Sequence, residues 1–126
     1  GVWAVSRSIV QADGPDGRFE GQAVFTPEGA GLRYHEAGQL VLAGESAMQA
    51  ERDYLWHTEG DQIVVRFDDG RDFHRFAPEA PTAAHWCDPD DYRVSYDFSR
   101  WPDWSSQWRV TGPRKDYVMI SQYTRA

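Results

Sequence analysis

Apolar and polar residues alternate with a period of two along nearly the whole chain, and the helical period is almost absent. Such alternation is typical of strands that bury one face. Segments rich in β-branched and aromatic residues therefore predict an all-β protein. The predicted strands cover residues 2–10, 18–27, 31–37, 39–44, 47–57, 62–68, 71–77, 83–87, 91–99, 105–111 and 116–125.

Short turn signals rich in glycine and proline separate these segments and favour hairpins between consecutive strands. The signals lie at residues 13–17, 27–29, 37–38, 44–45, 59–60, 69–70 and 112–113. A meander of about ten strands would leave two exposed edges, and closure removes both of them. The prediction is a single domain over residues 1–126, an antiparallel up-and-down β-barrel of about ten strands. A small sandwich is the alternative.

Loop length predicts which side chains face inward, because a two-residue loop sets the register of its hairpin. We interpret residues 44–45, 59–60 and 69–70 as such loops. One inner face would then hold Val41 opposite Met48 and the rows Trp56/Ile63/Phe76, Tyr54/Val65/His74 and Arg52/Phe67/Asp72. A bulge at Gly70 would instead send His74 outward and Phe73 inward.

Several charged residues share predicted inner faces with aromatic ones. Alternation places Arg7 beside inward Trp3, and it places Glu36 beside Tyr34. A buried ion costs several kcal/mol unless it is paired and hydrogen-bonded. Four residues are therefore expected to pair with one another or to face water in a cavity: Arg7, Glu36, Arg52 and Asp72.

The net charge and the cysteine content limit which partners and which cellular location are expected. A net charge of −7 opposes binding to phosphate backbones, and no apolar run is long enough for a membrane helix. Neither nucleic acid nor a membrane is expected as a partner. Cys87 is the single cysteine, so an internal disulfide is excluded, which fits a cytoplasmic location.

His74 is the strongest candidate for chemistry, because an inward histidine near Arg52 and Asp72 could bind a ligand or transfer a proton. A hydrogen-bonded core histidine is the competing interpretation. His85 and Cys87 share a strand face, but a structural zinc site needs paired ligand spacing that is missing here. No metal or cofactor is predicted. Residues 88–91 are interpreted as an acidic turn.

Residues 101–108 contain three tryptophans around a proline. This segment could form an aromatic lip over a cavity, a plug at one end of the barrel, or a surface that a partner subunit buries.

Residues 1–3 at the start of the chain and 123–125 at its end resemble the calycin pattern of lipocalins. In that pattern Trp3 would pack under Arg125 to close one end of the barrel through a cation–π contact. Further segments resemble an uncharacterised, mostly bacterial family of lipocalin-like domains: 34–38, 54–56, 73–76, 85–88, 91–92 and 112–117. The resemblance implies a barrel and supplies no activity. The haem-binding nitrobindins are a second, weaker resemblance.

The leading hypothesis is a barrel that binds a small polar or anionic aromatic molecule. Its ligand-binding residues would be Arg7, Tyr34, Glu36, Arg52, Tyr54, Asp72, His74, His85 and Tyr96. One alternative is an enzyme that uses His74 as general acid/base, with Glu36 or Asp72 orienting the imidazole, or a haem protein that uses His74 or His85. The other is a non-catalytic module that forms a homo-oligomer.

Overall fold

The computed structural model describes residues 1–126 as ten antiparallel β-strands without a helix, which confirms the predicted fold class. The strands are β1 (Val2–Gln11), β2 (Gly17–Glu28), β3 (Gly31–Leu42), β4 (Met48–Glu59), β5 (Gln62–Phe67), β6 (Asp72–Phe76), β7 (Thr82–Cys87), β8 (Asp90–Asp97), β9 (Trp104–Thr111) and β10 (Asp116–Arg125). No segment forms a helix that could cross a membrane.

The first and last strands lie side by side in the middle of one sheet, because β1 pairs with both β2 and β10. Its strand order is β6-β5-β4-β3-β2-β1-β10-β9-β8-β7. The sheet curves so that its two edge strands, β6 and β7, lie next to each other without a hydrogen-bonded ladder between them. The barrel is therefore nearly closed. Ring contacts span this seam, where Phe73 and His85 have their centroids 5.4 Å apart.

One end of the barrel, called here the Trp3 end, is covered by residues 98–103. The Trp3 indole Nε1 donates a hydrogen bond to the Pro102 carbonyl at 2.7 Å. The Arg125 guanidinium lies 4.7 Å from the centre of the Trp3 ring, and the Arg125 backbone N–H donates to Asp103. The opposite end is called the Arg52 end, because the Arg52 side chain there is 38% exposed.

The predicted register requires three corrections, of which two concern the hairpins on either side of β4 and the third the hairpin of β5 and β6. The loop between β4 and β5 is Gly60-Asp61, so Trp56 lies opposite Val65 rather than Ile63. A shift of two residues preserves the predicted faces, because side chains alternate with the same period. The loop after β3 is longer than two residues, and Leu40 rather than Val41 lies opposite Met48.

A bulge between β5 and β6 changes the prediction for Asp72. The register shifts between Val65 and Arg66, so Asp72 lies opposite Arg66 rather than Phe67. Asp72 therefore points outward with 73% of its side chain exposed. The bulge also lets Phe73 and His74 both face the interior, which neither of the two predicted registers allowed.

Residues 37–38 do not form a turn, and β3 runs through them as one continuous strand. Gly38 lies opposite Gly21 on β2, and a Cβ at Gly38 would be 2.6 Å from the Gly21 Cα. Two strands approach closely here because neither residue has a side chain. The glycine that resembles a turn signal in the sequence instead permits tight curvature of the barrel.

Candidate functional site

The centre of the barrel holds a buried ion pair between Arg7 on β1 and Glu36 on β3. Arg7 donates from Nη1 to Glu36 Oε2 at 2.8 Å and from Nη2 to Oε1 at 2.6 Å. Its Nε donates to the Ser121 hydroxyl at 2.6 Å. This bidentate geometry is the arrangement that best compensates the loss of water around two charges.

Two tyrosine hydroxyls extend this network. The Tyr34 hydroxyl donates to Glu36 Oε1 at 2.5 Å and lies 3.1 Å from the Tyr123 hydroxyl. Burial raises the pKa of Tyr34, and the nearby Tyr123 and Glu36 add to that effect. Burial also acts to raise the pKa of Glu36, but the hydrogen bond and charge of Arg7 outweigh it and leave the pKa below its usual value. Glu36 is therefore ionised at neutral pH.

Arg52 on β4 is the second cation of the site and lies closer to solvent. Its Nε is 3.4 Å from Glu36 Oε2, and 38% of its side chain is exposed. Its guanidinium lies 6.0 Å from the centre of the Trp108 ring. Burial raises the pKa of the neighbouring Tyr54 hydroxyl, although the positive charge of Arg52 acts to lower it.

His74 is buried on β6, and its Nε2 lies 2.8 Å from the Tyr96 hydroxyl. Burial lowers the pKa of His74 to about 4, with a smaller contribution from the charge of His85. The imidazole is therefore neutral at pH 7. Neither Glu36 nor Asp72 hydrogen-bonds to His74, so the predicted orienting carboxylate is missing.

These side chains surround one interior cavity of about 20 Å³. Its lining includes seven of the predicted site residues: Arg7, Tyr34, Glu36, Arg52, Tyr54, His74 and Tyr96. Asp72 and His85 do not line it. Asp72 was wrongly predicted to face inward, and His85 packs at the seam against Phe73 and Tyr92.

Seven further residues complete the lining and were not among the predicted site residues, although Trp56 and Val65 were predicted to face inward: Trp56, Val65, Phe73, Trp104, Ser106, Trp108 and Tyr123. Alternation along β9 and β10 carries a signal for some of them, because Trp104, Ser106 and Trp108 share one parity. The three tryptophans of residues 101–108 have different surroundings. Trp101 is exposed, Trp104 stacks on Tyr123 with centroids 3.7 Å apart, and Trp108 lies beside Arg52.

No group of three or more histidine, cysteine, aspartate or glutamate side chains is arranged to hold a metal ion. Cys87 is exposed, whereas His74 is buried inside the barrel.

Comparison with known proteins places the chain in a family. The model of a family of unknown function, DUF6314, matches residues 1–125. The chain belongs to this family. A search of the curated proteins found no match.

A solved structure described as the S-type phycobiliprotein lyase CPES from Guillardia theta has a similar fold, with a TM-score of 0.67 and 9% sequence identity. The match covers 100% of this chain and 87% of that chain. These findings confirm an uncharacterised family with a lipocalin-like barrel.

Proposed function

We propose that this protein binds a small anionic aromatic compound inside the barrel, reached from the Arg52 end. The observation that carries this proposal is the convergence of two arginines, a glutamate, a histidine and many aromatic rings on one interior cavity. A cavity with mostly apolar walls and a few convergent polar groups is the usual form of a small-molecule site.

Arg52 rather than Arg7 is suited to meet the anion. Arg7 already donates to both oxygens of Glu36 and to Ser121. Arg52 lies 3.4 Å from an oxygen that Arg7 already uses, and it is partly exposed. A ligand carboxylate could therefore recruit Arg52 and leave the central ion pair intact.

Aromatic walls favour an aromatic ligand. Tyr54 lies between Tyr34 and Trp108, with ring centroids 6.0 and 6.3 Å away. Such rings offer stacked and edge contacts to a planar compound. A volume of about 20 Å³ holds about one water molecule, so a ligand must displace the partly exposed side chains of Arg52 and Trp108. We therefore expect a compound with a single ring.

The phycobiliprotein lyase that shares this fold supports ligand handling as one use of such a barrel. The larger depressions of this protein lie on its surface. One of about 380 Å³ on the outer face of β7–β9 is lined by Arg93 and Arg109, which are paired with Asp91 and Asp116. The interior is the better candidate because its Arg52 is not fully engaged.

Titration with benzoate, followed by calorimetry and tryptophan fluorescence, tests this placement. Arg52→Gln should weaken benzoate binding at least tenfold, because the carboxylate loses its charged partner. Arg18→Gln should leave binding unchanged, since Arg18 pairs with Glu20 on the outer face of the barrel. Equal affinities of the Arg52 variant and the unmodified protein would contradict the proposal.

The nearly filled interior favours a second candidate, a non-catalytic module that forms a homo-oligomer. Trp86 on β7, an edge strand of the sheet, is 64% exposed, and Trp101 is 62% exposed. Large exposed aromatic residues often mark interfaces. If this function holds, sedimentation should detect a dimer or larger assembly that dissociates in a Trp86→Ser/Trp101→Ser variant. A monomer at all concentrations would exclude it.

A further inference from the structure

Three buried nitrogen atoms beside the interior cavity have no hydrogen-bond partner in the protein. They are Trp56 Nε1, Trp104 Nε1 and His74 Nδ1. Trp3 differs from the other two tryptophans, because its Nε1 donates to the Pro102 carbonyl. A buried polar group without a partner costs about 1–3 kcal/mol, and such groups are rare in folded proteins.

The three nitrogens belong to side chains that surround one ring. The centroids of Trp56, Trp104 and His74 lie 5.9, 6.1 and 5.9 Å from the centroid of Tyr96. All four residues line the same cavity. The part of the site around Tyr96 therefore holds three nitrogens without a hydrogen-bond partner. The charged groups of the whole site are Arg7, Glu36 and Arg52.

The chemistry of these groups is specific. An indole nitrogen only donates a hydrogen bond, whereas the Nδ1 of a neutral histidine donates or accepts according to its tautomer. The Nε2 of His74 is already occupied by the Tyr96 hydroxyl. The two indole nitrogens and His74 Nδ1 together therefore match a ligand atom that accepts hydrogen bonds and can also donate one.

We infer that the inner end of the site recognises a hydroxyl group of the ligand, whose oxygen accepts from Trp56 and Trp104 and whose hydrogen meets His74. This inference rests on the proposed function. A methyl group would leave the three nitrogens unsatisfied. A second carboxylate is disfavoured because Arg7 is committed to Glu36, and Arg52 is assigned to the first carboxylate.

The spacing along β4 suggests the shape of the ligand. Arg52, Tyr54 and Trp56 are successive inward residues of this strand, so Arg52 and Trp56 are about 13 Å apart along the backbone. A benzoate with a hydroxyl in the para position, with one hydrogen bond at each end, has a length of that order. The structure thus points to the class of para-hydroxylated aromatic acids.

A matched ligand pair tests the inference, namely 4-hydroxybenzoate and 4-methylbenzoate, which have similar size and the same carboxylate. The unmodified protein should bind the hydroxyl compound at least tenfold more tightly, because a site built around a hydroxyl rejects the analogue that lacks it. Trp104→Phe should remove most of this preference, because the ligand hydroxyl loses one of its two indole donors. Trp56→Phe is the second variant, in case the stacking of Trp104 on Tyr123 is needed for folding.

Nitrogen-15 NMR of the indole groups gives a readout on the unmodified protein. The Trp56 and Trp104 signals should move downfield with 4-hydroxybenzoate and much less with 4-methylbenzoate. The Trp3 signal serves as an internal reference, since its hydrogen bond to Pro102 is already formed. Equal binding of both acids with unmoved indole signals would overturn this inference and leave the proposed function intact. If neither acid binds, both proposals fail.

Discussion

Replacing Glu36 with glutamine is expected to destabilise the protein by about 3–5 kcal/mol, because the Arg7 charge would stay buried without its counterion. The glutamine oxygen can still accept one hydrogen bond, but it supplies no charge. The second cation, Arg52, would lose the same partner. Chemical denaturation at pH 7 measures the change in the free energy of unfolding.

Glu20→Gln is the matched control for this substitution. Glu20 pairs with Arg18 at 2.9 Å, but both side chains are 61% exposed. An exposed pair contributes at most about 1 kcal/mol, because water screens it. Equal costs for the Glu36 and Glu20 variants would show that burial does not determine the strength of the central pair.

A double variant separates the cost of an unpaired charge from the value of the pair. Arg7→Met/Glu36→Leu removes both charges and fills similar volume. Such exchanges are often neutral or stabilising. We expect the double variant to be more stable than Glu36→Gln alone.

Acidification from pH 7 to pH 5 is expected to cost about 2 kcal/mol of stability through His74 alone. The pKa of His74 falls from its usual 6.5 to about 4 in the folded state, mainly because of burial. His74 therefore takes up a proton near pH 6.5 in the unfolded chain but only near pH 4 in the folded protein. The stabilisation is complete above pH 6.5 and is lost progressively between these two values.

His74→Gln tests this pH dependence, since glutamine does not titrate and can still reach the Tyr96 hydroxyl. The difference in unfolding free energy between the two proteins should shrink or reverse as the pH falls from 7 to 5. Effects of the other histidines cancel in this comparison. Glu36 adds little in this range, because its folded pKa lies below its usual value of 4.5. A constant difference across the range would contradict a buried neutral His74.

Much of the candidate site was predictable because alternation assigns faces within a strand. Arg7, Glu36 and Tyr96 were predicted to face inward and are buried there. Such an assignment needs only the period of two and a correct strand. It also survives a register error of two residues, as the β4–β5 hairpin shows.

Asp72 shows where this reasoning fails. One bulge, where the register shifts between Val65 and Arg66, puts Asp72 and His74 on different faces although they are two residues apart. Outward exposure of Asp72 and simultaneous burial of Phe73 and His74 follow from that irregularity. A bulge depends on how β5 and β6 fit the curvature of the barrel, and local residue types do not encode it.

The sequence by itself determined an all-β chain of short-looped strands and the face on which most of its polar and aromatic residues lie, because both follow from local periodicity and turn chemistry. Only the tertiary structure decided that Arg7 pairs with Glu36, that His74 bonds to Tyr96, and that the interior is almost filled. Partners across a barrel come from strands distant in the sequence. The remaining volume depends on the fit of all inward side chains together, which no single segment specifies.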